Sequence, residues 1–302
     1  MRRLALLVLA VLVVAGCGGS GTPTSATGDT PAPAPLRIGT KNFPEQFLLG
    51  EIYKQALEAK GIPVELKENI GSTEIVHQAL VDGALDMYPE YVGVLLSEVA
   101  GIRTRPKNAQ AAFQAAQDFE ARKGFRVLET TPFSDANALA VTPEYARRHH
   151  VRTIADLRKV PGTITIGAPP EFQTRFEGLI GLAQLYGIRN AKATPLAIGR
   201  QYAALDSGRV DVATVFTTDG QLADGRYVLL RDPRGVFGTQ HVAPIISRAA
   251  LRSRGPRLQA VIDGVSKRLT ASAMQEMNAQ VQLKGQGSAD VADRFLRQQG
   301  LK

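Results

Sequence analysis

From Leu36 to about Arg248, short apolar runs alternate with stretches of helical periodicity, and this alternation restricts the fold more than any other feature. "LRIGT" (36–40), "VELKENI" (64–70), "LDMYPEY" (85–91), "FRVLET" (125–130), "ALAVT" (138–142), "TITIGA" (163–168), "VDVATVF" (210–216), "YVLLRD" (227–232) and "PIISR" (244–248) read as strands. The third is expected to turn at Pro89. Between them, Phe47, Leu48, Ile52, Ala56 and Leu57 recur at helical spacing, and Asn42 with Glu45 three residues later has the pattern of a capping box opening a helix through about Lys60. "STEIVHQALVDG" reads as a second helix. Strands and helices taken in turn imply an α/β architecture with mostly parallel sheets. From about Pro256 to Leu301 the pattern changes to three consecutive helices, which suits packing back on an earlier part of the chain.

The chain has 302 residues, 44% apolar and 21% charged, enough for two lobes with separate cores. "ANALAVT" near Asn137 and "TQHVAPIISR" near Gln240 lie about a hundred residues apart and bracket a block with its own strands and helices. If both are crossovers, one lobe is built from 36–136 and 241–302 and the other from 137–240. Ligand would then lie in the cleft between them, where strand-end loops from both lobes converge.

The first 35 residues stand apart. Arg2 and Arg3 precede an apolar stretch, Leu4–Ala15, that is too short to span a bilayer and reads as the core of a secretory signal over 1–16. "VAGC" has the form of a bacterial lipobox, with Cys17 as the lipidated residue. As the sole cysteine it leaves no thiol for a disulfide, a metal site or catalysis. Residues 17–35, rich in Gly, Ser, Thr and Pro, read as a tether that cannot bury a core. The expected location is therefore outside the cytoplasmic membrane, held by an N-terminal lipid. The formal charge is +8; without Arg2 and Arg3 it becomes +6, from 34 Lys+Arg against 28 Asp+Glu. The excess is spread along the chain with "RRHH" (147–150) its densest cluster, which fits a solvated surface facing anionic lipid and not nucleic acid.

Motifs for catalysis are missing: there is no G-x-S-x-G elbow, H-E-x-x-H helix, P-loop or G-x-G-x-x-G fingerprint. His77, His149, His150 and His241 do not form a metal-ligand pattern; adjacent histidines do not share one helical face. No enzyme, cofactor or metal is expected.

"RIGTKNFPEQFLLGEIYKQALEAKG", "ALVDGALDMYPEYVGVLL", "EFQTRFEGLIGLAQLYGI" and "DVATVFTTDG", in this order, resemble the substrate-binding proteins of osmoprotectant ABC transporters, which take glycine betaine, carnitine, choline and related quaternary amines. The likeness runs from Leu36 to Leu301. It implies a type II periplasmic-binding-protein fold: two lobes, each a mixed sheet flanked by helices, joined by two crossover hinges and closing over the ligand. The implied partner is an ABC permease, and a monomer is expected.

A trimethylammonium group offers no N–H, so ring faces must hold it, at about 0.5–2 kcal/mol per desolvated ring. The resemblance makes Tyr91 a cage residue, with Tyr88, Pro89 and Glu90 shaping the turn. It gives Lys41 and Arg175 the acidic tail of a betaine, a guanidinium fork binding carboxylate in bidentate fashion, and Glu171 the orientation of Arg175. Other positions depart from the family pattern. Asn137, Phe216 and Gln240 stand where tyrosines are usual, and Val94 replaces a threonine. Phe216 keeps a π-face; Asn137 and Gln240 offer amides instead. These departures weaken the case for glycine betaine itself and favour a bulkier or more polar relative such as carnitine or ergothioneine, with a non-quaternary ligand left open. Because fold does not fix function, the alternatives are a sensor or receptor for a different small solute and an exported enzyme on the same scaffold.

Overall fold

The structure is a computed structural model that describes residues 34–302 apart from positions 103, 105, 223, 224 and 239. The signal, Cys17 and nearly all of the tether lie outside the described residues. Among the described residues, ten strands form two five-stranded sheets. The first contains β1 (Leu36–Lys41), β2 (Val64–Gly71), β3 (Met87–Tyr91), β4 (Phe125–Val127) and β10 (Val242–Ser247), in the order β2-β1-β3-β10-β4. The second contains β5 (Asn137–Val141), β6 (Ile164–Ala168), β7 (Ala191–Pro195), β8 (Val212–Phe216) and β9 (Val228–Leu230), in the order β7-β6-β8-β5-β9. Both sheets are mixed: β1 runs parallel to β2 and β3, whereas β10 is antiparallel to β3 and β4. In the second sheet β6 is parallel to β7 and β8, and β5 is antiparallel to β8 and β9. Two mixed sheets with flanking helices are the type II periplasmic-binding-protein architecture.

Strand β3 does not turn at Pro89 but runs straight on to Tyr91. Pro89 stands directly opposite Pro244 on antiparallel β10. Opposed residues in such a ladder alternate between exchanging two hydrogen bonds and none, so two residues without N–H groups fit a position of the second kind. Continuation of the strand sends its two tyrosines to different cores. Tyr88 packs with Val76, Leu80 and Val127, and Tyr91 with Phe43, Leu48 and Met274.

The helix Pro44–Glu58 covers the first sheet. Its apolar side buries Leu48, Leu49, Ile52 and Leu57 against Leu258, Ile262, Phe295 and Leu296 of the C-terminal helices Pro256–Ser266 and Ser288–Gln298. Each such side chain contributes about 1.5–3 kcal/mol on full burial. The second sheet has its own core, including Ile154, Leu157, Ile166, Leu182 and Val212.

The chain crosses between sheets twice, after β4 and after β9. The two crossing segments lie side by side: Ser134 and His241 form a bridge, Asp135 N–H donates to the Gln240 carbonyl at 3.0 Å, and Gln240 N–H donates to Ser134 Oγ at 3.0 Å. Asp135, Asn137 and Gln240 are thereby fixed where the two lobes meet.

Candidate ligand-binding site

A pocket at this junction is lined from the first lobe by Lys41, Phe43, Thr73 and Tyr91, from the crossing by Asp135 and Asn137, and from the second lobe by Glu171, Arg175, Ile198 and Phe216. Lys41, Tyr91, Asn137, Glu171, Arg175 and Phe216 are thus brought together from residues as far as 175 positions apart in sequence. Gln240 is fully buried beside the pocket instead of lining it. Its Nε2 donates to Glu177 Oε1 and Oε2 at 3.0 Å, and its Oε1 accepts from Val94 N–H at 3.0 Å. A Cβ on Gly93 would come within 2.6 Å of that amide, so glycine is what admits it. Asn137 Nδ2 donates to the same Glu177 at 3.4 Å.

Three rings converge. Phe43 stacks on Phe216 with centroids 5.1 Å apart and planes at 17°, and lies 6.0 Å from Tyr91. Phe43, from the first lobe, and Phe216, from the second, therefore meet face to face across the junction. Phe43 was not singled out by sequence; it sits inside "KNFPEQ", where it immediately precedes the helix. The capping box expected there is not made, since the helix begins after Phe43 without a side-chain cap. Glu45 turns inward instead. Tyr91 Oη donates to its Oε1 at 2.7 Å, and Thr218 Oγ1 and Asn278 Nδ2 donate to its Oε2 at 2.5 and 2.6 Å. Burial pushes the Glu45 carboxyl up, against the pull of these three donors.

The two cations are already engaged. Lys41 Nζ, almost fully buried, lies 2.5 Å from Glu90 Oε1 and 3.1 Å from Thr73 Oγ1, and 4.3 Å from the centroid of the Tyr91 ring. Burial lowers its pKa and Glu90 opposes that shift. Arg175 reaches across the junction to Glu74 on the helix Thr73–Val81. Its Nε and Nη2 donate to the two carboxylate oxygens at 3.0 and 2.6 Å, and Glu171 and Glu98 stand 3.9 and 4.0 Å away. Burial of Glu74 acts upward, but the Arg175 fork wins and holds its carboxyl down at about 2. Lys41 and Arg175, expected to take the carboxylate of a betaine, are paired here with the protein's own Glu90 and Glu74.

A second cavity of about 150 Å³ lies behind the Phe43–Phe216 stack and shares Phe43, Asp135, Ile198 and Phe216 with the first. Its other walls include Glu45, Tyr202, Thr218, Asp219 and Gln282. No group of His, Cys, Asp and Glu placed to hold a metal ion occurs among the described residues.

Residues 34–298 match the family described as the substrate binding domain of ABC-type glycine betaine transport system. The chain belongs to that family. Members serve as the substrate-binding component of glycine betaine/carnitine/choline ABC transporters, so this is an extracytoplasmic binding protein of the transport class. It is similar to the glycine-betaine-binding protein of Pseudomonas aeruginosa, 31% identical over 94% of this chain and 93% of that one. It also resembles the ergothioneine transport permease/ergothioneine binding protein of Helicobacter pylori, 27% identical over 88% of this chain but 48% of that longer protein. Among solved structures, a glycine betaine/carnitine/choline ABC transporter protein superposes with a TM-score of 0.70 at 26% identity, covering 88% of this binding protein and 99% of its own chain.

Proposed function

We propose that this binding protein captures a methylated amine between Phe43, Tyr91 and Phe216 and hands it to an ABC permease without transforming it. The observation that carries the reading is the meeting of three rings from both lobes in one interlobe pocket. The face of Tyr91 already holds one ammonium, that of Lys41, at 4.3 Å. Phe43 and Phe216 parting to admit a second, permanently charged nitrogen would replace ring–ring contact with cation–π contact of about 0.5–2 kcal/mol per desolvated ring.

Closure is the transport signal in this reading. Residues 36–136 with 241–302 form one rigid lobe and 137–240 the other, hinged at Ser134–Asn137 and Gln240–His241. The Arg175–Glu74 fork and the Phe43–Phe216 stack tie the lobes together, and a permease recognises the closed pair. The signal over 1–16 and a lipid on Cys17 place the protein on the outer face of the cytoplasmic membrane, working as a monomer. Calorimetric titration of residues 34–302 with glycine betaine, choline, carnitine and ergothioneine tests the reading. Saturable heat with at least one trimethylated amine is expected, and a flat response to all four contradicts it.

A further inference from the structure

The cavity behind the stacked rings carries three carboxyl groups from three separate segments: Glu45, Asp135 and Asp219. Glu45 is satisfied by Tyr91, Thr218 and Asn278. Asp219 accepts from Tyr202 Oη at 2.7 Å, Phe216 N–H at 3.0 Å and Gln282 Nε2 at 3.1 Å. Asp135 differs. Its Oδ1 accepts from Thr218 N–H at 3.1 Å and Thr217 Oγ1 at 3.4 Å, but its Oδ2 has no partner among the described residues. The residue is only 3% exposed and lines both cavities, on either side of the rings. An acceptor left bare at that depth costs about 1–3 kcal/mol, and more when charged, so it calls for a donor or a cation. Burial, then Glu45 and Asp219, push its carboxyl well up. The cations of the site answer other carboxylates, Lys41 that of Glu90 and Arg175 that of Glu74.

Resting on the proposed capture of a methylated amine, we infer that Asp135 selects among such amines: its Oδ2 receives the hydroxyl or N–H of an organic cation that carries no carboxylate, such as an amino alcohol. A trimethylammonium seated on Phe43 and Phe216 would then draw this raised carboxyl into its ionised form, which balances the charge, with the proton released to solvent and the alcohol donating to Oδ2. A betaine in the same pose sets its own carboxylate against Asp135, Glu45 and Asp219. It avoids that loss only if Asp135 keeps its proton, which forgoes the charge balance that an amino alcohol gains, or if Arg175 leaves Glu74 or Lys41 leaves Glu90. A buried like-charge contact of that kind separates the two ligands far more than the shared methyl groups do.

The test is titration of residues 34–302 and the Asp135→Asn variant with choline and with glycine betaine. Asparagine keeps an oxygen for Thr218 N–H and removes the charge. For the wild type, choline is expected to bind at least about tenfold more tightly than glycine betaine. In the variant the choline affinity should fall and the preference collapse. Glycine betaine binding the wild type as tightly as choline overturns the inference while leaving the methylated-amine reading intact, and needs no variant. An unchanged preference in Asp135→Asn also overturns it. Binding of neither choline nor glycine betaine overturns this inference; the underlying reading falls with it only if carnitine and ergothioneine also give no heat.

Discussion

At the residue scale, the ring and the hydroxyl of Tyr91 have separable jobs. The ring faces Phe43 and the Lys41 ammonium; the hydroxyl donates to buried Glu45. Phe216→Leu keeps apolar bulk and removes the π-face, so ligand affinity should fall by about 0.5–2 kcal/mol in titration calorimetry. Tyr91→Phe keeps the face and strips one donor from Glu45. Its thermal stability should fall by about 1–3 kcal/mol while its affinity stays near that of the wild type. Unchanged binding in Phe216→Leu would detach that ring from the site. Tyr91, Phe216, Lys41 and Arg175 were legible in sequence because each sits inside a long motif. Phe43 sits in one of those motifs too, but its position before a helix drew attention to capping. Asp135 gave no signal at all. Its importance comes from Glu45 and Asp219, 90 and 84 positions away, and from an empty lone pair that only packing can create.

At the element scale, the helix Ala109–Arg122 lays Glu120 against the helix Thr73–Val81. Glu120 is fully buried, with Oε1 3.8 Å from His77 Nε2, and His77 Nδ1 meets Tyr88 Oη at 3.1 Å. Lys123 Nζ approaches His77 Nε2 at 3.4 Å, and Glu90 is the other charge acting on Glu120. Burial pushes Glu120 up to about 7 from 4.5, and burial followed by Lys123 pushes His77 down to about 4 from 6.5. A raised carboxyl contributes stability that is present below its unfolded value and lost as pH rises through its folded one. A lowered imidazole contributes stability that is present above its unfolded value and lost as pH falls through its folded one. The two slopes oppose each other across about pH 4.5–6.5. Relative to the wild type, Glu120→Gln should therefore gain stability as pH rises over that window, and His77→Gln should lose it, in urea melts at several pH values. Slopes of the same sign in both variants would show that the pair does not titrate as described. Element types were read well where periodicity was strong, as in β1, β6 and the three C-terminal helices. β7, "AKATP", was missed because it is a half-exposed edge strand of small and polar residues ending in proline. Pro89 misled for the opposite reason, since its tolerance depends on Pro244 across the ladder, a partner 155 positions away.

At the scale of the whole molecule, the alternation of strands and helices was enough to expect two α/β lobes, and the chain does pass between two mixed sheets after β4 and after β9. The sequence could not show that the lobes touch through Phe43 on Phe216, Glu74 on Arg175, Glu45 on Thr218 and Gly220 on the helix Ala271–Gln282. These contacts surround the pocket, so an occupant that fits it adds to them and one that does not forces them apart. The most direct test is a crystal structure of the protein with the tightest-binding trimethylated amine from the titration. The expected result places the methylated nitrogen within about 6 Å of the centroids of Phe43, Tyr91 and Phe216, with the two phenylalanine rings no longer stacked on each other. A bound amine outside the interlobe pocket, with Phe43 still lying against Phe216, would contradict it.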